Sequence, residues 1–145
     1  MSDILINNKF IEIEVLGLGR KRWRKDTCYL ILADKTKNNL RMNVVIGRCD
    51  AQNIAIELEG LKPQLPLSHD LMKNIVEQLN AKLECVKIDK VIEGVFYAII
   101  SIKNQNGELL ELESRLVDAI ALAIRCKSRI LLREEILKEY SVVMQ

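Results

Sequence analysis

The order of apolar periodicities along the chain predicts an α+β fold with mixed sheets. Three observations carry this reading. Runs with an apolar period of two, or with continuous β-forming residues, come in two groups of three, and each group is followed by a stretch whose apolar residues recur at helical spacing. A further helical stretch links the groups and a short helix follows the second, so the chain reads as a three-strand-plus-helix unit, a linking helix, the same unit again and a C-terminal helix. The halves also share residues at one constant offset: Asp50-Ala51 recurs as Asp118-Ala119, and Ala55-Ile56 as Ala123-Ile124. The repeat predicts a pseudo-duplicated unit with an aspartate at each matching helix start.

The first strand, FIEIEVLGL at residues 10–18, places Ile11, Ile13 and Val15 on one face and Glu12 and Glu14 on the other. A basic segment follows, in which Arg20, Lys21, Arg22, Arg24 and Lys25 surround Trp23. TCYLILA at 27–33 is continuously apolar, the pattern of a strand covered on both faces. After a polar turn, residues 40–46 send Met42, Val44 and Ile46 inward. Gly47 ends that strand, and 50–59 reads as a helix with Ile54, Ala55, Leu58 and Leu61 on one face and Gly60 as its stop. Pro63 and Pro66 keep the next loop out of helical conformation until Ser68, which can cap a helix carrying Leu71, Met72, Ile75, Val76 and Leu79 at amphipathic spacing.

Strands are then expected at 83–91, 95–103 and 108–113, joined by Glu93-Gly94 and by a turn containing Asn106-Gly107. LVDAIALAIRC, 116–126, is apolar almost all round, which predicts an interior helix lying between layers or in a subunit contact. A short last strand at 130–132 and a surface helix at 134–140 complete the chain.

A length of 145 residues predicts one domain, 1–145, with its core at about 10–137. No apolar run approaches the roughly 20 residues that span a bilayer. The N-terminus lacks the pattern of a signal peptide, so the expected location is the cytosol. The four cysteines form no C-x-x-C pair and sit among apolar residues, as expected of reduced core positions. A net charge of +2 argues for no particular partner. The segment from Arg20 to Lys25 is more informative, since its cations can follow a phosphate backbone while Trp23 stacks on a base. The same residues also suit a solvated loop whose indole packs back onto the sheet. There is no P-loop or dinucleotide-binding glycine pattern.

Three motifs, IGRCDAQNIAIELEG at 46–60, LSHDL at 67–71 and RLVDAIALA at 115–123, resemble the bifunctional nuclease domain proteins. That family has a strand ending in Ile-Gly before an acid and alanine, a helix ending in Glu-Gly, a Pro-rich loop with Leu-Thr/Ser-His-Asp-Leu, and Arg-Pro-Ser-Asp-Ala-Ile-Ala-Leu-Ala. The likeness runs over about residues 10–137. Two departures stand out: Asp50 replaces the usual Glu, and Leu116-Val117 replaces Pro-Ser, removing a hydroxyl. The resemblance implies a mixed α+β domain, a homodimer or higher homo-oligomer, and a nuclease acting on both RNA and DNA. It transfers no established catalytic residue.

Phosphodiester hydrolysis requires an activated nucleophile and stabilisation of charge on phosphorus-bound oxygens. The candidate catalytic residues are His69, the only histidine, with Asp70, Asp118, Arg115 and Asp50. Arg20, Lys21, Arg22, Trp23, Arg24 and Lys25 are the candidate nucleic-acid contacts. Mg²⁺ or Mn²⁺ on two of the carboxylates is compatible with the pattern, because such sites leave little trace in sequence. A structural account exists for each residue as well: acids favour first helical turns by roughly 0.3 to 1 kcal/mol, and Arg115 can pair with Asp118 three positions on. Two function classes follow, a nuclease of low sequence specificity and a non-catalytic oligomeric binding or scaffold domain that keeps the fold.

Overall fold

The structure is a computed structural model that describes residues 9–21, 24–36 and 40–143. Strands β1 (Phe10–Lys21), β2 (Arg24–Asp34) and β3 (Leu40–Ile46) form an antiparallel meander, followed by helices α1 (Arg48–Leu58) and α2 (Ser68–Gln78). A second meander, β4 (Lys82–Ile92), β5 (Val95–Lys103) and β6 (Leu109–Arg115), leads directly into α3 (Leu116–Cys126). The chain then adds β7 (Arg129–Arg133), α4 (Glu134–Tyr140) and β8 (Ser141–Val143). The eight strands of the described residues belong to one mixed sheet in the order β6-β5-β4-β7-β1-β2-β3-β8, so the α+β class holds and the two meanders occupy opposite flanks.

The short strand β7 fuses those flanks. It pairs parallel to β4 and antiparallel to β1, which makes the expected last strand a central one with β8 following it. The register aligns Ile100, Val86, Ile130 and Ile13 in one buried row across four strands. Each such side chain contributes about 1.5 to 3 kcal/mol on burial.

The alternation in β1 is as expected: Ile13 is buried, and Glu12 faces out to meet Lys35 and Arg129. Both faces of β2 are covered, unequally: Leu30 and Leu32 are inaccessible on one, and on the other Ala33 is inaccessible while Tyr29 and Ile31 are partly buried. β1 and β2 also extend further than expected, Lys21 pairing with Arg24 through the backbone. Arg22 and Trp23 lie outside the described residues.

Helix α3 is the axis of the core. Ala119, Ile120, Ala121, Leu122 and Ala123 are all buried, and the helix packs on β4, β5, β6, β7, α1 and α2. It is therefore interior to a single chain. The sheet curls round its first turn, where Leu116 and Val117 share a cavity of about 290 Å³ with Val44 and Ile46 of β3 and Phe96 of β5.

Left-handed residues end three of the helices. Gly60, Asn80 and Lys127 have positive φ, and at each the next backbone N–H reaches back to a carbonyl one turn earlier, as in Leu61 to Ile56, Ala81 to Val76 and Ser128 to Ala123. Helix α2 departs from expectation at its N-terminus. Ser68 is its first helical residue rather than its cap; the Asp70 carboxylate instead accepts the Leu67 N–H at 3.0 Å. Its apolar stripe is largely in solvent, and His69 is its only buried residue.

Candidate functional site

Three helices begin around one pocket. α1 follows β3 after the single residue Gly47, α3 follows β6 with no loop at all, and α2 is delivered by the two-proline segment. Asp50 and Asp118 each occupy the third position of their helix, and both border this pocket. The pocket is open, with a volume of about 470 Å³, and its wall includes Asp50, Asn53, His69, Met72, Arg115 and Asp118.

Arg115 lies between the two acids. Its Nε donates to Asp118 Oδ2 at 2.7 Å and its Nη2 to Asp118 Oδ1 at 3.0 Å, a bidentate pair, while Nη1 stands 3.6 Å from Asp50 Oδ2. The hydrogen bond from Arg115 holds the Asp118 carboxyl below its ordinary value against the opposing effect of burial, and the hydrogen bond from His69 adds to the lowering. The same pairing, hydrogen bond first and charge second, raises the Arg115 guanidinium.

His69 supports Asp118 from inside. His69 is 6% exposed, with Nε2 at 3.0 Å from Asp118 Oδ1 and Nδ1 in hydrogen-bond contact with Asn53 Nδ2. Asn53 in turn is oriented by Arg125, whose Nη2 donates to Asn53 Oδ1 at 2.8 Å. That bond points the amide N–H of Asn53 at His69, so Nδ1 accepts and the ring proton resides on Nε2, donated to Asp118. A continuous polar chain thus runs Asp50, Arg115, Asp118, His69, Asn53, Arg125.

Asp70 belongs to the buried end of this chain rather than to the pocket. Arg125 Nε donates to its Oδ1 at 2.7 Å, and Asp70 lines a separate cavity beside Pro63, Pro66 and Lys73. Arg125 is 4% exposed, and its remaining hydrogen bonds go to the Ala121 and Asn53 carbonyls. A buried guanidinium satisfied this fully ties α1, α2 and α3 together.

Of the sequence-predicted residues, His69, Asp118, Arg115 and Asp50 come together, and Asp70 is adjacent but turned away. Arg20 is exposed on β1 and lines another cavity, of about 360 Å³, on the far side of α1, sharing only Gln52 with the first. Arg22 and Trp23 fall outside the described residues, while Lys21, Arg24 and Lys25 lie at the strand ends that lead to them. Cys49 is not a core residue: it is exposed and borders the pocket.

Asn53 and Arg125 are hydrogen-bonded neighbours of these residues that the sequence reading missed. The available signal was a lone cation two turns after Asp118 in an otherwise apolar helix, which requires a buried partner. No helix of the described residues is long and apolar enough to cross a membrane.

Comparison with known proteins places the chain in a family. Two curated relatives, both named as uncharacterized proteins and from two strains of Mycobacterium tuberculosis, are each 27% identical over 133 residues, spanning 92% of this chain and 77% of their own length. Residues 30–145 match the bifunctional nuclease domain, a span that holds every pocket residue and begins after the basic segment. The chain belongs to the bifunctional nuclease domain family.

Proposed function

We propose that the protein is a cytosolic nuclease of low sequence specificity that hydrolyses phosphodiester bonds in RNA and DNA, working as a homodimer or higher homo-oligomer. The observation that carries this reading is the convergence of three helix starts and the exposed Arg115 on an open pocket that also holds two carboxylates. Helix N-termini and a guanidinium favour an anion, and a phosphodiester is one. Contacts of this kind address the backbone and carry no base information.

Because DNA has no 2′-hydroxyl, a single mechanism for both substrates uses water as the nucleophile. In the proposed step water attacks phosphorus, its proton passes to a pocket carboxylate, the bond to the leaving oxygen breaks, and that oxygen takes a proton from solvent. Asp118, oriented by His69, is the carboxylate in position, and Asp50 stands across Arg115 from it. Arg115 turns from the acids to a non-bridging oxygen, where it offsets the developing charge. His69 acts as a positioning residue, and Asp70 supports it through Arg125. The segment Arg20, Lys21, Arg22, Trp23, Arg24 and Lys25 is the proposed track for the flanking strand.

Asp50 and Asp118 are the two carboxylates a Mg²⁺ or Mn²⁺ would need. Arg115 bridges them, and among the described residues no group of three or more His, Cys, Asp or Glu side chains could hold a metal ion. The residues present do not fit a divalent site, and the proposed step uses Arg115 in that position.

Labelled single-stranded RNA and DNA, incubated with the purified chain in Mg²⁺ and separately in EDTA, test the reading. Cleavage of both is expected in either buffer, with loss in Asp118→Asn. If the wild type leaves both strands intact in both buffers, the hydrolytic reading fails. A second reading then stands, a non-catalytic binding or scaffold domain, favoured by the fact that both ring nitrogens of His69 and the Arg115 guanidinium already have partners within the chain. Filter binding at two salt concentrations measures that alternative directly.

A further inference from the structure

Arg115 and Asp50 border a second cavity as well as the pocket already described. This slot, of about 290 Å³, lies near the lower end of small-molecule sites, roughly 300 Å³ and upward. Its lining comes from three places: the end of β3, the β4–β5 turn with Phe96, and the first turn of α3. Phe96 is braced edge-on by Tyr140 of α4, with ring centroids 5.3 Å apart. Of the described residues that line the slot, only Asp50 and Arg115 have polar side chains. Gly47, another lining residue, is not a glycine for backbone reasons. Its φ of −69° and ψ of 156° are extended backbone that any residue adopts, and a Cβ there would meet Asp50 Oδ2 at an ordinary 3.5 Å. As the N-cap of α1 it would be bettered by a serine or an aspartate. What the bare Cα leaves is space beside Asp50, where the slot meets the pocket.

We propose that the slot takes one nucleobase of the substrate strand, from the nucleotide whose phosphate Arg115 binds. This deepens the proposed function and rests on its phosphate contact at Arg115. The lining selects the occupant. It asks for an anion at one end, where the Arg115 side chain is 64% exposed, and elsewhere for a group apolar enough to displace water from Ile46, Phe96 and Val117. A nucleotide joins those two properties through one sugar. An anionic lipid surface would instead need several cations round the mouth, and the single guanidinium here is flanked by two carboxylates. Phe96 supplies an aromatic ring, and stacking on such a ring is indifferent to base identity. Val117, where the family pattern has serine, offers no hydroxyl to a base edge. The slot therefore accepts any base and serves to position the adjoining phosphate, which agrees with low sequence specificity and adds a requirement that a base be present.

The test reads binding, so no bond has to break. In ¹⁵N spectra of the full chain, thymidine 5′-monophosphate is expected to bind about tenfold more tightly than deoxyribose 5-phosphate, the size of one stacked base, and to shift the Gly47 and Gly94 amides. Gly47→Val, which sets a β-branched side chain at an exposed extended position, and Phe96→Ala should each bring that ratio close to one. Equal affinity for the two compounds in the wild type, or binding of neither, overturns the proposal, as does a ratio that survives both variants. Butyl phosphate binding as tightly as the nucleotide would also overturn it, since the slot would then accept any apolar group. RNA cleavage assayed on the same samples keeps the two readings apart: intact strands with the ratio preserved sink hydrolysis alone, and cut strands without it sink the base site alone.

Discussion

His69 Nε2 stands 3.0 Å from Asp118 Oδ1, joining residues 49 positions apart in the chain. The arrangement differs from a histidine that acts as a base with one nitrogen free, because Asn53 occupies the other side of the ring. Its consequence is that the imidazole orients the carboxylate and the carboxylate faces the pocket.

The first prediction concerns that division of labour. Asp118→Asn keeps the shape of the site and should lower cleavage by roughly 100-fold or more, the range for losing a positioned proton acceptor. His69→Ala should lower both rate and melting temperature, since it leaves the Asn53 amide without its acceptor in a buried site, an omission that costs about 1 to 3 kcal/mol. If His69→Ala melts like the wild type, the ring is not the support described.

Acid stability provides a second. Asp118 is held below its ordinary value of 3.8 in the folded chain, so its contribution is complete above that pH and is lost as pH falls through the lowered folded value. Arg115→Gln removes the largest cause of the lowering and leaves burial to push the other way. The acid-unfolding midpoint followed by circular dichroism should therefore move to higher pH, with little change in the pH dependence of stability near neutrality. An unchanged midpoint would count against the bidentate pair.

Arg125 is the third. Removing a buried guanidinium that serves Asp70, Asn53 and the Ala121 carbonyl leaves an uncompensated carboxylate, and Arg125→Ala should cost about 3 to 5 kcal/mol in denaturant unfolding. Arg125→Lys should recover only part of this, because an ammonium cannot reproduce the planar fork. A loss below about 1 kcal/mol, the value of a surface pair, would contradict the burial described here.

The tautomer of His69 yields a fourth. In ¹⁵N spectra of the neutral ring, Nδ1 should be the bare nitrogen and Nε2 the protonated one. Asn53→Asp, which replaces the donor by an acceptor, should draw the proton toward Nδ1. Observing Nδ1–H in the wild type would reverse the assigned direction of the chain from Arg125 to Asp118.

Thiol labelling supplies the last. Cys49 is exposed at the pocket, Cys28 is buried, and burial pushes the Cys126 thiol up. Iodoacetamide should modify Cys49 first, and bound single-stranded RNA should slow the reaction. Equal rates at Cys49 and Cys28, or no protection by RNA, would be inconsistent with a nucleic-acid strand in this pocket.

Much of the fold was legible because alternation reports directly on a half-buried strand. Ile11, Ile13 and Val15 mark β1, and Met42, Val44 and Ile46 mark β3. The interior position of α3 followed from the absence of a polar face on LVDAIALAIRC. The surroundings of α2 were not legible: helical spacing says which residues share a face and not what that face meets, so a core-facing stripe and one left in solvent look alike. β7 looked peripheral because five residues say nothing about which strands they will join.

The sequence by itself determined the element types, the family motifs and four of the pocket's side chains, because local periodicity and short spacings act within a few residues of one another. Only the tertiary structure decided that β7 fuses the two meanders, that Asp70 turns away from His69, and that Asn53 and Arg125 complete the polar chain. Those outcomes depend on contacts between residues tens of positions apart, where burial of unlike elements against one another, and the need of each buried polar atom for a partner, settle what local pattern leaves open.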